Sequence, residues 1–366
     1  MTRHILHVDR TVRLADAAHE GHNRWHPDIR PMACVRDGDE AEIHTRDSFD
    51  CQICRSMTGA DLAGVSIGRA HPLTGPVFVE GAMPGDLLAV DILDIHAHNE
   101  GFTVIAPGFG FLRDRFTAPH LVHWQMADGY ATSPQMPGVR IEGNPFFGVM
   151  GLAPSKPLLA TILEREQRLH DKGGAVFLPD PDGAVPAFDD ALRTIPPREM
   201  GGNLDIKQLT KGTTVYLPVY AEGGLFSVGD AHFAQGDGES CGSAIETSAI
   251  LHARFRVLKG EAARRGQKDV SFGNETAPRP PLDPSTRFYA TTGTCIRDDG
   301  ENLSEDLTLA TRNALLNMVD HICDRYGFTP ENAICLASVA VNLRISQIVD
   351  VPNVTVSAFL PLDIFD

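Results

Sequence analysis

The sequence predicts a mainly β protein, β-sandwich- or barrel-like and α+β overall, with its helices concentrated in the C-terminal third. Three observations point there. Glycine (34) and proline (25) together supply 59 of 366 residues, a density that breaks a chain into short strands. Short alternating or continuously apolar runs, bounded by Gly, Pro and Asp, recur between residues 40 and 232. The clearest capped helical patterns lie after residue 300.

The elements follow in chain order. Glu40 to Thr45 alternates polar and apolar residues, the period of a half-buried strand. Pro76 to Glu80 and Leu87 to His96 are rich in strand-forming types, and Gly81-Ala-Met-Pro-Gly-Asp86 between them reads as a tight turn. This first stretch, to about Asp128, reads as a β-meander or half of a sandwich. Residues 129–200 are rich in proline and glycine, with one segment of helical spacing, Lys156 to His170. From Gly201 strands resume, at Thr213 to Tyr220 and Leu225 to His232. Ser304-Glu-Asp-Leu then opens a helix over 304–326: a hydroxyl cap, two acids on the positive end of the dipole, and apolar residues at helical spacing up to Gly327. Thr329-Pro-Glu opens a second over 330–340, with proline at its first position. The chain divides into a β-rich region, 1–200, and a β-rich region with terminal helices, 201–366, expected to pack as one composite unit.

Charge narrows the partners. Lys+Arg 32 against Asp+Glu 48 gives a net charge of −16, which repels polyanions, so neither nucleic acid nor an anionic membrane surface is expected as a partner. The first residues carry no apolar run of signal-peptide length, and the longest uncharged apolar run, Ala333 to Leu343, is too short to span a bilayer. Seven cysteines at irregular spacing read as reduced thiols, hence a cytoplasmic protein. Cys51-Gln-Ile-Cys54 lacks the second pair that a structural zinc site needs.

The chemistry is concentrated in Gly229-Asp-Ala-His-Phe-Ala-Gln-Gly-Asp-Gly-Glu239. On a strand, Asp230 and His232 share a face. The Gly-Asp-Gly that follows lets the chain turn back, so that Asp237 or Glu239 meets the same point. One imidazole with two or three carboxylate oxygens suits a divalent ion, zinc first and calcium as the alternative. The same segment also reads as an acidic hairpin turn facing solvent. Upstream, Gly201-Gly-Asn-Leu-Asp205 adds a further carboxylate. His22 and His26 are four apart, but Pro27 argues against a helix, and buried hydrogen-bonded histidines are expected there. His71 stands just before a turn.

Several of these segments together resemble the acetamidase/formamidase family. They are His22-Asn-Arg-Trp-His26-Pro, His71-Pro-Leu-Thr-Gly-Pro-Val-Phe-Val-Glu-Gly81, Phe147-Gly-Val-Met-Gly-Leu-Ala-Pro154, Gly201-Gly-Asn-Leu-Asp205, Gly229 through Glu239 to Cys241-Gly-Ser-Ala-Ile-Glu246, and Leu343 to Asp350. The blocks run from about residue 20 to 355. The resemblance implies a mainly β hydrolase of short aliphatic amides, yielding ammonia and a carboxylate, and points to a homo-oligomer. The His22 block looks formamidase-like, while Asp47-Ser-Phe-Asp-Cys-Gln52 and the run through Ser240-Cys241-Gly-Ser look more like the acetamidase side.

Two mechanisms are open at this point. In one, His232, Asp237 and Asp205, with His71 or Asp47 as additions, hold a metal that activates water, and Glu239 or Asp230 moves protons. In the other, Cys241 is the nucleophile. Its small-residue surroundings, with no Lys or His within several positions, disfavour the thiol. A non-catalytic metal- or ligand-binding β protein is the third reading. Phe109, Phe111, Phe146 and Phe147 are candidates to line a substrate pocket or, equally, to pack in the core.

Overall fold

The computed structural model describes residues 2–274, 287–348 and 351–365. Val349 and Asp350, the end of the last family-like block, lie outside them.

Two sheets carry the architecture. A six-stranded sheet runs in the order Arg3–Leu6, Glu40–His44, Ala249–Leu258, Leu87–Ala97, Thr214–Pro218 and Ser271–Gly273. A larger one runs Arg140–Glu142, Tyr130–Thr132, His120–Ala127, Glu100–Ile105, Glu246–Thr247, Phe226–His232, Phe146–Gly151 and Gly201–Asn203, with Leu73–Val79 also pairing onto Phe226–His232. Each of these two sheets mixes strands from both halves of the chain, so neither half completes either of them alone. The alternation read at Glu40 is real: Ala41 and Ile43 are fully buried while their neighbours are half-buried.

Between the sheets lies one apolar core, with Ile43, Leu88, Val90, Val215 and Phe255 from the smaller and Phe147, Val149 and Phe226 from the larger. A second core joins the rest of the larger sheet, at Val122, Trp124 and Ile245, to the C-terminal helices. Ala231 belongs to the first core and Phe233 to the second. His232 therefore sits where the two cores meet.

The helices form close to where the sequence puts them. Leu307–Tyr326 begins later than the Ser304 cap predicts: Asp306 is the cap, its carboxylate accepting from the Leu309 amide at 2.9 Å. Gly327 closes that helix at φ 71°, in the left-handed region that glycine adopts without strain. Pro330–Ala340 starts as read, with the Thr329 hydroxyl capping Asn332. Both pack near a three-stranded sheet of Phe288–Thr294, Thr355–Pro361 and Asn342–Gln347. Lys156–Asp171 is helical, capped by Ser155. The fold is thus mainly β, with most of its helix late in the chain.

Candidate active site

Phe226–His232 delivers two side chains to one place. His232 is buried, and its Nε2 lies 3.3 Å from Asp230 Oδ1. The strand is not regular there. Asp230 has φ 58°, and the ladder to Phe146–Gly151 pairs Ala231 with Phe147 and Gly229 with Val149 but skips the position between. That skipped position faces Gly148. The missing side chain of Gly148 makes the room: a Cβ there would sit 2.5 Å from Asp205 Oδ1, 2.5 Å from Asp230 Oδ2 and 2.9 Å from His232 Cε1.

Gly148 also places Asp205. Its carbonyl accepts from the amides of Leu204 (2.8 Å) and Asp205 (3.3 Å), turning the chain just after Gly201–Asn203. Asp205 takes φ 48° and Glu239 φ 44°. Three carboxylate-bearing residues at one site therefore hold a conformation that L residues rarely adopt, as functional sites often require.

Glu246 is the fourth carboxylate. Its two-residue strand, Glu246–Thr247, pairs His232 with Glu246, so the two side chains lie side by side. Glu246 Oε1 accepts from the Ala244 amide at 2.8 Å, and Oε2 lies 3.3 Å from His232 Nε2. Sequence reasoning gave this residue no role. The available signal was an acid inside the otherwise small and apolar run Gly-Ser-Ala-Ile-Glu-Thr. Glu239 Oε1 completes the ring 4.0 Å from Nε2.

The hydrogen-bond sense of His232 follows from Gln235. The Gln235 amide nitrogen donates to the Asp205 carbonyl at 2.9 Å, and a carbonyl only accepts. Gln235 Oε1 therefore faces His232 Nδ1 at 3.0 Å and accepts its proton. Nε2 is left to point into the carboxylates. Among the described residues, His232 Nε2, Glu246 Oε2 and Asp205 Oδ1 are buried without a hydrogen-bond partner. Buried polar atoms are rarely left so.

The charges tell the same story. Burial opposes charging His232, yet Glu246 and Asp230 beside it raise its pKa well above the ordinary imidazole value. Burial first, then the Asp230 charge, pushes Asp205 up to about 7. Burial and Asp205 push Glu239 up as well. Asp230 alone is held below the usual carboxylate range: burial is outweighed by His71 and His232. Asp205 and Glu239 are pushed up because one imidazole does not compensate so many buried carboxylates. Two overlapping groups, Asp205–Asp230–His232 and His232–Glu239–Glu246, have ligand atoms within 4.8 Å of one another, as a single metal ion needs. The donor set, one imidazole nitrogen and several carboxylate oxygens, fits a divalent cation that displaces the Nε2 proton.

The other sequence candidates fall elsewhere. Asp237 is ion-paired with Lys207 at 3.1 Å. Asp47 accepts from the amides of Phe49 (2.9 Å) and Cys51 (3.2 Å), and burial pushes it up to about 6. Among the described residues, neither belongs to a ligating group. His71 influences Asp230 by its charge, and its Nδ1 is buried and, among the described residues, unpartnered, so it flanks the ring. Cys241 is buried against the second core, its Sγ 3.5 Å from the Val104 carbonyl and 3.6 Å from that of Ser243. Phe146 stands edge-on to the His232 ring, centroids 4.9 Å apart, while Phe147 is in the core. His22 is buried and doubly hydrogen-bonded, to the Arg24 carbonyl (2.6 Å) and the Ser227 hydroxyl (2.7 Å), as expected of that block.

Residues 7–366 match the model of the acetamidase/formamidase family. A formamidase of Methylophilus methylotrophus is 35% identical, covering 94% of this chain and 89% of its own length. An acetamidase of Mycolicibacterium smegmatis is 36% identical, covering 90% and 87%. Among solved structures, a gamma lactamase from Delftia acidovorans superposes with a TM-score of 0.93 at 34% identity, covering 99% of this chain and 93% of that one.

Proposed function

The chain belongs to the acetamidase/formamidase family and is an amidohydrolase of linear amides; from that premise we propose that it cleaves short aliphatic amides, such as formamide and acetamide, at a divalent metal site. The products are ammonia and a carboxylate. The observation that carries the metal reading is His232 Nε2, turned toward unpartnered carboxylate oxygens by the Nδ1 bond to Gln235, where a cation could take the place of the second imidazole proton.

His232, Asp230, Asp205 and Glu246 would hold the ion, for which zinc suits the nitrogen donor better than calcium. Bound there, such an ion supplies Lewis acidity toward an amide carbonyl and brings the pKa of a water to about 7. The chain's own residues do the rest. Gln235 keeps the Nδ1 proton on His232 and so keeps Nε2 basic. Glu239 is partly accessible, and its raised pKa suits a carboxyl that carries a proton and gives it to the leaving nitrogen. Asp230, held ionised, keeps negative charge at the centre.

A thiol mechanism is the runner-up. Burial raises the Cys241 thiol, but hydrogen bonds from Cys335, Ser338 and Ser243 bring it down to about 7. Its position against backbone carbonyls, outside the carboxylate ring, favours the metal reading.

The experiment is metal content by elemental analysis together with ammonia release from formamide and acetamide, before and after a chelator. One bound divalent ion per chain and chelator-sensitive turnover are expected. His232→Ala should lose both together. A metal-free protein with full turnover would overturn the metal reading; no turnover on any short amide after metal loading would overturn the substrate reading.

All seven cysteines are unpaired, which fits a reducing compartment such as the cytoplasm. Exposed apolar side chains at the C-terminal sheet, Phe288 and Ile345, support a homo-oligomer, which light scattering in solution tests.

A further inference from the structure

We propose that Lys207 is a positioning residue whose ion pair with Asp237 clasps the two loops that carry Asp205 and Glu239, setting the geometry of the metal site. The inference rests on the metal reading and goes beyond it, since neither Lys207 nor Asp237 has a ligand atom in the ring.

Asp205 and Glu239 lie on separate loops, and each holds a backbone conformation disfavoured for its type, at φ 48° and 44°. Left alone, each loop relaxes toward ordinary φ and the carboxylate swings away. Two cross-ties oppose this. The Gln235 amide nitrogen donates to the Asp205 carbonyl at 2.9 Å. Two residues further along each loop, Lys207 Nζ meets Asp237 Oδ1 at 3.1 Å. The loops are thus joined at Asp205 itself and again two residues on, with Glu239 two residues beyond the second tie.

The clasp has an anchor outside the loops. Asn342 Oδ1 accepts from Lys207 Nζ and from the Asp237 amide. Asn342 lies two residues past the end of the helix Pro330–Ala340, after its cap Val341. The same helix end receives the Asp237 loop: the Gly236 amide donates to the Ser338 carbonyl at 2.7 Å, and a Cβ at Gly236 would lie 2.2 Å from the Val341 carbonyl. A lysine ammonium just past a helix C-terminus is also favourably placed against the helix dipole. The Lys207 side chain is about four-fifths buried, so its pair with Asp237 is screened less than a surface pair.

The test compares wild type with Lys207→Met, Asp237→Asn and the swapped pair Lys207→Asp/Asp237→Lys. Two readouts are used: zinc affinity by chelator competition, and amide hydrogen exchange of residues 203–207 and 235–239 in the metal-free protein. Each single variant should weaken zinc by roughly 10–100-fold, as loss of groups that orient ligands does, and speed exchange in both loops. The swapped pair should recover part of both. Asp237→Asn guards against misfolding, since it changes only one oxygen for an amide. Unchanged affinity and unchanged exchange in both single variants would overturn the clasp. A wild type that binds no divalent ion would instead sink the metal reading, and exchange alone then decides whether Lys207 orders the two loops.

Discussion

Gly148 lies flat against Asp230: a methyl group added to it would stand 2.5 Å from Asp230 Oδ2. A residue with no side chain thus defines the room in which the carboxylates converge.

Gly148→Ala should therefore act on the site more than on the fold. Gly148 is not in the left-handed region, so alanine meets only a lack of space. Overpacking of that kind costs about 1–3 kcal/mol. Denaturant unfolding should show a loss in that range, while metal content and amide turnover fall together. Full activity in the variant would mean that the carboxylates do not work in the arrangement seen.

Glu239→Gln should separate proton transfer from metal binding. Asp205, Asp230, His232 and Glu246 remain, so the ion should stay. Turnover should drop by roughly 10²–10⁴-fold. Elemental analysis beside steady-state rates measures both. Loss of the ion would make Glu239 a ligand in its own right.

Cys241→Ser should keep most of the activity. The hydroxyl can reach the same Val104 and Ser243 carbonyls, and the Cys241 amide still donates to the Ser338 hydroxyl at 3.1 Å. A folded but inactive Cys241→Ser enzyme, with no metal in the wild type, would install the thiol mechanism.

His22 should make the protein sensitive to mild acid. Burial lowers its pKa from 6.5 to about 4. In the unfolded chain it binds a proton below about pH 6.5, whereas the folded state resists until about pH 4. Between those values the unfolded state binds more protons, so stability falls as pH falls. The loss amounts to about 3 kcal/mol at pH 4 relative to pH 7. Urea unfolding of wild type and His22→Gln across this window checks it: the variant should show the smaller slope.

The strand and helix pattern was legible because it is local. The two-residue period put Asp230 and His232 on one face, and the Thr329-Pro330 cap fixed a helix start. Asp205 and Glu239 were also readable as candidates, from glycine-flanked acids. Spacing alone offers Asp237 as a ligand because it cannot show a partner from another loop, and Lys207 lies beside it as an ion-pair partner. Glu246 went unassigned for a related reason: its place beside His232 comes from strand pairing, not from any interval along the chain. Cys241 has a reactive residue's chemistry and a core residue's surroundings, and only the second is set by the fold. The Asp306 cap shifted the helix start because an acid two positions after Ser304 reaches the Leu309 amide.

The tie between Lys207 and Asn342 spans 135 positions of sequence. Its consequence is temporal. While the chain is being made, the ligand-bearing loops emerge long before the residue that anchors them. A nascent chain ending before Asn342 holds His232, Asp205 and Glu239 with the Lys207–Asp237 pair unanchored, so the candidate site is unfinished. Closing so long a loop is also slow compared with forming local hairpins. Catalytic competence should thus be among the last properties the chain acquires, and recovery of amide turnover after dilution from denaturant should lag behind recovery of strand content.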